Sequence, residues 1–397
     1  MDPSARKTYN SNFTIEKYQH FLQFLHDGLK TPIAFRIAET PVFLTDDFRD
    51  KLLEAGENII NVILQPDFKQ LTERAIPEKW RVANENDHPH FIALDFGVCK
   101  DEHGNIVPKL IELQGFPSLY GFQVHLADTY RNTFDIPDDW TIYFNQLGRT
   151  DYLDLLKKTI IGPYQPEEVV LMDVNAHEQK TVVDFLSTQK YLGIPIVALD
   201  ELIEKDGQLY YKITDGQKRI KRIYNRLIFD EIEGDPDIFN KVVDVRKTLD
   251  VEWITHPNWF YRVSKFTMPF LSGDYVPKTV FLNELNTIPD GLEHYVLKPL
   301  FSFAGQGVII DVTKQDIENI KDPENWILQE KVNYEPVLKA PDDGVKVEIR
   351  LLYLWPDGDT KPTLAINLAR LSRGKMIGVR YNKDFDWVGG TVAFMRK

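Results

Sequence analysis

One stretch of the sequence, residues 294–310, joins two runs of β-forming residues through a short loop that contains two glycines. The first run delivers Lys298, the loop holds Gly305 and Gly307, and a β-branched run follows. This order predicts a β-hairpin with an adaptable tip. A compact cation beside backbone N–H groups that no Cβ shields suits the phosphates of a nucleotide, whereas the plainer interpretation is a hairpin with a surface lysine. The loop lacks the spacing of a P-loop or a dinucleotide fingerprint. This segment alone therefore does not distinguish a phosphate-binding loop from a plain hairpin, and the flanking sequence is needed.

The length and charge of the chain limit the classes of protein to which it can belong. At 397 residues the chain is long enough for two or three domains. Its formal net charge of -13 argues against a general nucleic-acid or anionic-membrane surface, so any polyanion must bind in a local basic pocket. A single cysteine, Cys99, excludes an internal disulfide and favours a reducing compartment. With a polar N-terminus and no apolar run long enough to span a bilayer, we expect a soluble, cytoplasmic protein.

A second predicted hairpin, within residues 91–114, carries acidic side chains at fixed positions. Asp95 lies in its first strand, and Glu112 and Gln114 leave the same face of its second strand because they are two residues apart. Pairing across the hairpin brings Asp95 towards them. Two carboxylates and an amide oxygen are an oxygen-only ligand set suited to Mg²⁺, and the alternative is a solvated polar face. The apolar neighbours of Asp95 and Glu112 favour the metal site, because an unpaired buried carboxylate is costly.

The middle of the chain, residues 167–232, has the strand–helix–strand rhythm of a parallel α/β unit, with a helix predicted over 179–192. No glycine-rich fingerprint follows its first strand, so we do not expect a dinucleotide site. Arg226 lies in an apolar run that predicts a strand. A buried arginine pairs either with a structural acid such as Asp230 or with an anionic substrate, and both remain open.

Two segments near the central hairpin add candidate nucleotide contacts. Lys265 stands at the start of a predicted short helix, either facing solvent or acting as a second phosphate lysine. The apolar strand within residues 325–332 ends in polar groups, where its backbone can meet an adenine edge. Glu330 or Glu335 is then available to the ribose hydroxyls.

The last third of the chain gathers basic residues on a predicted antiparallel pair of strands. Strict alternation places Glu348 and Arg350 on one face of the first strand, and Arg370 and Arg373 follow in and beyond the second. Such a pair can equally be an outer sheet in water. In an acidic chain, however, a gathering of arginines indicates a local pocket for a polyanion.

Taken in order, these segments resemble the ATP-grasp superfamily in the circularly permuted arrangement of the glutathionylspermidine synthase-like proteins. In an ordinary ATP-grasp chain the acidic hairpin comes last, whereas here it precedes the lysine, glycine-loop and arginine segments. Residues 173–230 also resemble that family's intervening domain. The resemblance covers most of residues 90–397 and implies an α/β (α+β) fold: a circularly permuted ATP-grasp fold with an inserted Rossmann-like pre-ATP-grasp βαβ domain.

The resemblance also implies a division of the chain into four parts. These are an N-terminal helical capping region at 1–90, the acidic metal-binding hairpin with its following helix at 91–150, the pre-ATP-grasp α/β domain at 151–255, and the lysine/glycine-loop and arginine-strand subdomains at 256–397.

Residue roles, and ATP and Mg²⁺ as cofactors, follow from the same resemblance. The ATP-binding residues it implies are Lys265, Lys298, Gly305, Gln306, Gly307, Gln329, Glu330, Val332 and Glu335. The metal ligands it implies are Asp95, Glu112 and Gln114, and the catalytic residues are Arg350, Lys298 and Arg226. Gln114 stands where the family has asparagine, and its extra methylene changes the reach of the amide oxygen.

The implied activity is that of an ATP-dependent carboxylate–amine ligase that works through an acyl phosphate. Its partners are then a small-molecule or peptide carboxylate and an amine, with no nucleic acid and no membrane, and self-association of the chain stays open. The glutathione-binding and amidase parts of glutathionylspermidine synthase are not recognisable, so the acid and the amine are not inherited. Two other readings remain: a non-catalytic nucleotide-binding or partner-binding module, and a small-molecule kinase that uses the same pocket.

Overall fold

The structure is a computed structural model, and it describes residues 1–232, 234–235, 237–301, 307–340, 344–374, 377–378 and 381–397. Helices within these residues are α1 (Pro3–Asn12), α2 (Ile15–Leu29), α3 (Asp46–Ile63), α4 (Phe68–Leu71), α5 (Tyr120–Thr133), α6 (Arg149–Ile160), α7 (Val182–Leu192), α8 (Asn258–Arg262) and α9 (Lys314–Glu318). Strands are β1 (Val42–Phe43), β2 (Phe91–Lys100), β3 (Ile106–Gln114), β4 (Trp140–Thr141), β5 (Val169–Asp173), β6 (Ile196–Ala198), β7 (Ile203–Lys205), β8 (Gln208–Ile213), β9 (Gly216–Ile220), β10 (Arg222–Asn225), β11 (Glu252–Ile254), β12 (Thr279–Phe281), β13 (Tyr295–Pro299), β14 (Trp326–Glu330), β15 (Leu338–Lys339), β16 (Gly344–Leu354), β17 (Thr363–Ser372), β18 (Gly389–Thr391) and β19 (Ala393–Arg396).

The largest sheet, called here the central sheet, has the antiparallel strand order β18-β17-β16-β2-β3, with β15 paired to β16. The acidic hairpin β2–β3 is therefore joined to β16, a strand from the last fifth of the chain. In this register Arg350 lies opposite Asp95, and Asp95 lies opposite Glu112. The predicted hairpin is confirmed. The central sheet joins it to a strand that lies far later in the sequence.

Both faces of the central sheet are covered. Strand β2 alternates its side chains, so that Leu94 and Phe96 join the core cluster that contains Leu52 of α3. On the opposite face, Phe91 and Leu352 join the cluster that contains residues of α5. Farther along that second face the side chains become charged, and this is where the candidate site lies.

A second sheet is parallel throughout, with the order β11-β10-β5-β6. The predicted βαβ unit is confirmed as β5, α7 and β6, although α7 begins at Val182 and not at residue 179. The strand predicted around Arg226 ends one residue earlier, at Asn225. Arg226 still extends the pairing of β10 with β5, because its N–H donates to the Met172 carbonyl at 2.8 Å.

A small antiparallel sheet has the order β12-β14-β13. Leu297 and Leu328 point to one face and pack in a separate small core. The predicted hairpin after Lys298 returns as one bridge, in which Leu297 and Ile309 exchange two hydrogen bonds of 2.9 Å. Gly305 and Gln306, predicted to close over phosphates, lie outside the described residues.

The N-terminal region packs on the central sheet. The helical character predicted for this region agrees with α2 and α3, which begin after Thr14 and Thr45. The hydroxyls of these threonines accept from Lys17 N and Phe48 N. The four-part division of the chain stays a prediction. In the described part of the chain, no helix combines the length and the apolar character needed to cross a membrane.

Candidate functional site

The candidate site is built on the charged end of the central sheet. Arg350 of β16 donates through Nε to Asp95 Oδ1 at 2.5 Å and through Nη2 to Asp95 Oδ2 at 2.6 Å. The same Nη2 lies 4.0 Å from Oε1 of Glu112, on the far side of β2. Strand pairing thus brings the predicted acids and the predicted arginine into one row.

A second arginine reaches the same carboxylate from β17. Arg370 donates through Nη2 to Asp95 Oδ2 at 2.7 Å, and it also contacts Glu348, its strand partner. The Tyr334 hydroxyl donates to the other oxygen of Glu348 at 2.7 Å. The Arg370 side chain is 33% exposed whereas that of Arg350 is 7% exposed, so Arg370 is the guanidinium with more surface open to a ligand.

The two buried acids of this network respond differently to their setting. Burial pushes the pKa of Asp95 upwards, but Arg350 and Arg370 outweigh burial and the net pKa shift is downwards. Burial and the neighbouring Asp95 charge together raise the pKa of Glu348 despite its contact with Arg370. Asp95 is therefore the firmly ionised partner of the two arginines.

The two predicted phosphate lysines face the same acids. Lys298 donates from Nζ to the Ile111 carbonyl of β3 at 3.2 Å, and burial lowers its pKa against the opposing effect of Glu112 and Glu348. Burial lowers the pKa of Lys265 to about 8, opposed by Glu112 and assisted by the charge of Lys298. Lys265 opens a 3₁₀ helix, and both lysines lie near Glu112. We call Lys265, Lys298, Arg350 and Arg370 the basic cluster.

The three predicted metal ligands lie together but differ in availability. Both oxygens of Asp95 already accept from guanidinium groups. Glu112 is 32% exposed and accepts from Gln114 Nε2 at 2.9 Å. Within the described residues no three Asp, Glu, His or Cys side chains gather into a metal cage. Metal binding by the three residues stays a prediction.

The predicted adenine strand lies beside the basic cluster in the small sheet. Two of its end groups are already engaged: Glu330 N donates to the Lys278 carbonyl at 2.9 Å, and Lys331 N donates to the His294 carbonyl at 2.7 Å. Gln329 is 1% exposed, and its Nε2 has no hydrogen-bond partner among the residues that the structure describes. Nε2 of Gln329 is therefore a buried donor that can still form a hydrogen bond.

The remaining predicted nucleotide contacts are distributed around that strand. Val332 is half-buried just beyond it, and Glu335 accepts from Lys100 Nζ at 2.7 Å. Gly307 has a φ of 74°, and a Cβ at this position would stand 3.0 Å from Pro299 Cγ. The residue at 307 is therefore a glycine for conformational reasons, whatever it binds. Roles for these three residues in nucleotide binding stay predictions.

Arg226 lies at the carboxyl end of the parallel sheet, and its acid partner is Asp184 of α7, at 2.5 Å, instead of Asp230. The other oxygen of Asp184 accepts from Gly121 N and Phe122 N at the start of α5. The structural alternative for Arg226 therefore has a partner, and a catalytic role stays a prediction. Burial raises the pKa of the adjacent Asp173 to about 8, against the lowering effect of Arg226.

Sequence reasoning missed three residues of these networks. Glu348 was placed on the face of Arg350 but given no role, and the alternation of charges along β16 was the available signal. Tyr334 and Asp184 carried no signal of their own, because one lies in an irregular segment and the other on a helix distant in sequence.

Comparison with solved structures relates the whole chain to a glutathione synthetase-like effector, GSS30, from Globodera pallida in its apo form. The TM-score is 0.60 at 10% sequence identity, and the match covers 100% of this chain and 98% of that chain. The chain therefore has a mixed α/β fold similar to that of this glutathione synthetase-like effector, and at this identity the likeness concerns the fold alone. The circular permutation and the inserted domain stay predictions. Neither a protein-family model nor a curated protein matches the chain.

Proposed function

We propose that this chain is an ATP-dependent ligase that joins a carboxylate to an amine through an acyl phosphate. The observation that carries the proposal is the meeting of two distant parts of the sequence: Asp95 and Glu112 of the acidic hairpin lie in one row with Arg350, and Glu112 acts on the pKa of both Lys265 and Lys298. Four cationic side chains around three acids form a local basic pocket in a chain of net charge -13. A triphosphate with a divalent cation is the ligand that such a pocket suits.

In this proposal the basic cluster holds the triphosphate. Lys265 and Lys298 approach it from the small-sheet side, while Arg350 and Arg370 approach it from the central sheet. Asp95 then serves as a positioning residue, because it fixes the planes of both guanidinium groups through three hydrogen bonds. Charge neutralisation of this kind is the main contribution a protein makes to phosphoryl transfer.

The fit of Mg²⁺ depends on which oxygens are available. Glu112 and Gln114 fit, since one carboxylate and one amide oxygen, completed by water and phosphate oxygens, match the usual magnesium coordination. Asp95 fits less well as a ligand while two arginines occupy its oxygens. We therefore propose Glu112 and Gln114 as the residues that would hold the ion. When bound, Mg²⁺ would neutralise charge on the β- and γ-phosphates.

The proposed reaction has two displacements. An oxygen of the substrate carboxylate attacks the γ-phosphorus, the bond to the β,γ-bridging oxygen breaks, and ADP leaves. The amine nitrogen then attacks the acyl carbon, the carbon–oxygen bond to phosphate breaks, and the nitrogen loses a proton as the amide forms. The residues bind and orient the reactants, and no protein nucleophile is required. Arg226, at the carboxyl end of the parallel sheet, is the candidate for holding the acid substrate.

The test is ATP turnover by the full chain with panels of carboxylates and amines. Phosphate release that requires both an acid and an amine, with an amide of matching mass, is the expected result. Lys298→Met should abolish this phosphate release. The control Lys109→Met should not, because Lys109 of β3 lies outside the basic cluster and donates to the Asp274 carbonyl. ATP binding without ADP formation for any pair would identify a non-catalytic nucleotide-binding module. ADP formation that needs no amine and leaves a stable phosphorylated product would identify a kinase.

A further inference from the structure

Two residues to which the proposed reaction gives no role hold the more exposed arginine of the basic cluster. Glu348 lies directly opposite Arg370 in the pairing of β16 with β17, and one oxygen of Glu348 contacts Nη2 of that guanidinium. The other oxygen accepts from the Tyr334 hydroxyl at 2.7 Å. The Glu348 side chain is 2% exposed, so the protein and not water supplies the contacts of this carboxylate. Tyr334 is thus connected to Arg370 through one buried acid.

Tyr334 is itself fixed by strand β2. Its backbone forms a bridge with Cys99, and the next N–H, that of Glu335, donates to the Val98 carbonyl at 2.9 Å. The Tyr334 ring lies over Gly97, where a Cβ would stand only 2.8 Å from the ring carbon Cε1. A glycine at this position lets the ring lie directly against the strand. Strand β2 therefore fixes the place from which the hydroxyl reaches the carboxylate.

Arg370 is anchored through one nitrogen and keeps surface open to a ligand. Its Nη2 donates to Asp95 Oδ2 at 2.7 Å and also contacts Glu348, while the side chain is 33% exposed. Arg350, in contrast, uses both Nε and Nη2 on Asp95 and is 7% exposed. A guanidinium is a planar fork of donors, so two acids on one nitrogen fix the direction of the remaining donors. Arg370 can thus meet phosphate oxygens in a set orientation.

We propose that Tyr334 and Glu348 are positioning residues that hold Arg370 in the direction where it meets the phosphoryl group during transfer. This inference rests on the proposed function, because it requires a transferring phosphate beside the basic cluster. Without Glu348, Nη2 of Arg370 would keep only its bond to Asp95, an acid that Arg350 shares. A donor that is already oriented when charge develops lowers the barrier more than one that must first be ordered. The Tyr334 hydroxyl contributes by fixing the carboxylate of Glu348.

The experiment is steady-state kinetics of the full chain with the acid and amine that give ATP turnover. Tyr334→Phe removes one hydroxyl, and we expect kcat to fall about tenfold while the KM for ATP changes by less than about twofold. The reason is that the oriented guanidinium acts mainly as the phosphoryl group is transferred. In an Arg370→Lys background, Tyr334→Phe should lower kcat by less than about twofold, because an ammonium lacks the directed fork that Tyr334 helps to orient.

The outcomes separate this role from a structural one. A hydroxyl that only stabilises the fold would leave kcat unchanged in Tyr334→Phe or lower it equally in both backgrounds, and either result overturns the inference while the proposed function stands. Glu348→Gln keeps the size of the side chain and should also lower kcat about tenfold, so wild-type kcat in this variant overturns the inference as well. The control Tyr353→Phe removes a hydroxyl on the opposite face of the central sheet and should keep wild-type kcat. Absence of ATP turnover by the wild type overturns both proposals together.

Discussion

Asp95 accepts two hydrogen bonds from the guanidinium of Arg350, a residue 255 positions later in the chain, and Nη2 of Arg350 lies 2.6 Å from Asp95 Oδ2. Asp95 is buried, so its loss would leave Arg350 with a charge that water cannot reach. Asp95→Asn should lower the free energy of unfolding by about 3 kcal/mol, the usual cost of breaking one side of a buried ion pair. Urea unfolding measures it. The control Glu102→Gln lies in the exposed turn of the same hairpin and should change stability by about 0.5 kcal/mol or less.

Glu112 is the most exposed of the three acids Asp95, Glu112 and Glu348, and we propose it as a metal ligand. Glu112→Gln keeps the shape of the side chain and removes its charge, so the concentration of Mg²⁺ that half-saturates ATP turnover should rise about tenfold or more. Gln114→Ala should raise it less, because an amide oxygen is the weaker ligand. A Mg²⁺ titration at fixed ATP measures both. An unchanged half-saturating concentration in Glu112→Gln would remove this residue from the metal site.

The lysine at the start of the 3₁₀ helix makes nucleotide binding depend on pH. Because the pKa of Lys265 is lowered to about 8, its ammonium is charged below pH 8 and neutral above it. The affinity for ATP should therefore weaken several-fold as pH rises from about 7 to about 9, since a neutral amine no longer attracts the triphosphate. Lys265→Arg stays charged throughout and should flatten this part of the profile. Identical profiles for the two proteins would assign the pH dependence to other groups.

Asp173 makes stability depend on pH in a sense opposite to that of an ordinary salt-bridged acid. Its pKa is raised from 3.8 to about 8 in the folded protein, so its contribution to stability is complete below about pH 4 and is lost as pH rises through about 8. Between pH 5 and pH 8 the wild type should lose up to about 1.4 kcal/mol per pH unit relative to Asp173→Asn. Urea unfolding at each pH measures the difference. A constant difference between the two proteins, or one like that of the exposed control Asp200→Asn, would contradict the prediction.

Local patterns predicted the pieces of the candidate site well. The β2–β3 hairpin was readable because strands and turn residues lie within 24 positions of one another, and alternation placed Glu112 and Gln114 on one face. The same alternation placed Glu348 and Arg350 together in β16. The helical character of the N-terminal region was also predicted, and the structure shows α2 and α3 there, capped by Thr14 and Thr45.

The partners of those pieces could not be predicted from local patterns. That Arg350 stands opposite Asp95 is a matter of strand register across most of the chain, and a shift of one residue would send both side chains to the other face. For Arg226 the sequence left a structural acid or a substrate as its partner, and nothing in the pattern of α7 indicated that the buried Asp184 would be that acid. The contact between Asp95 and Arg370, which lies on a third strand, was not predicted either.

The place of β2 within the central sheet has a consequence for how the chain is made. On the ribosome, the β2–β3 hairpin is synthesised more than two hundred residues before β16. Until β16 is made, the side of β2 that faces away from β3 is an unpaired edge, and nine of the residues of β2, Phe91 to Cys99, are of the buried type. Such an edge is a template for wrong pairing with other nascent chains. Chains interrupted before residue 344 are therefore expected to aggregate in the cell, whereas completed chains protect that edge.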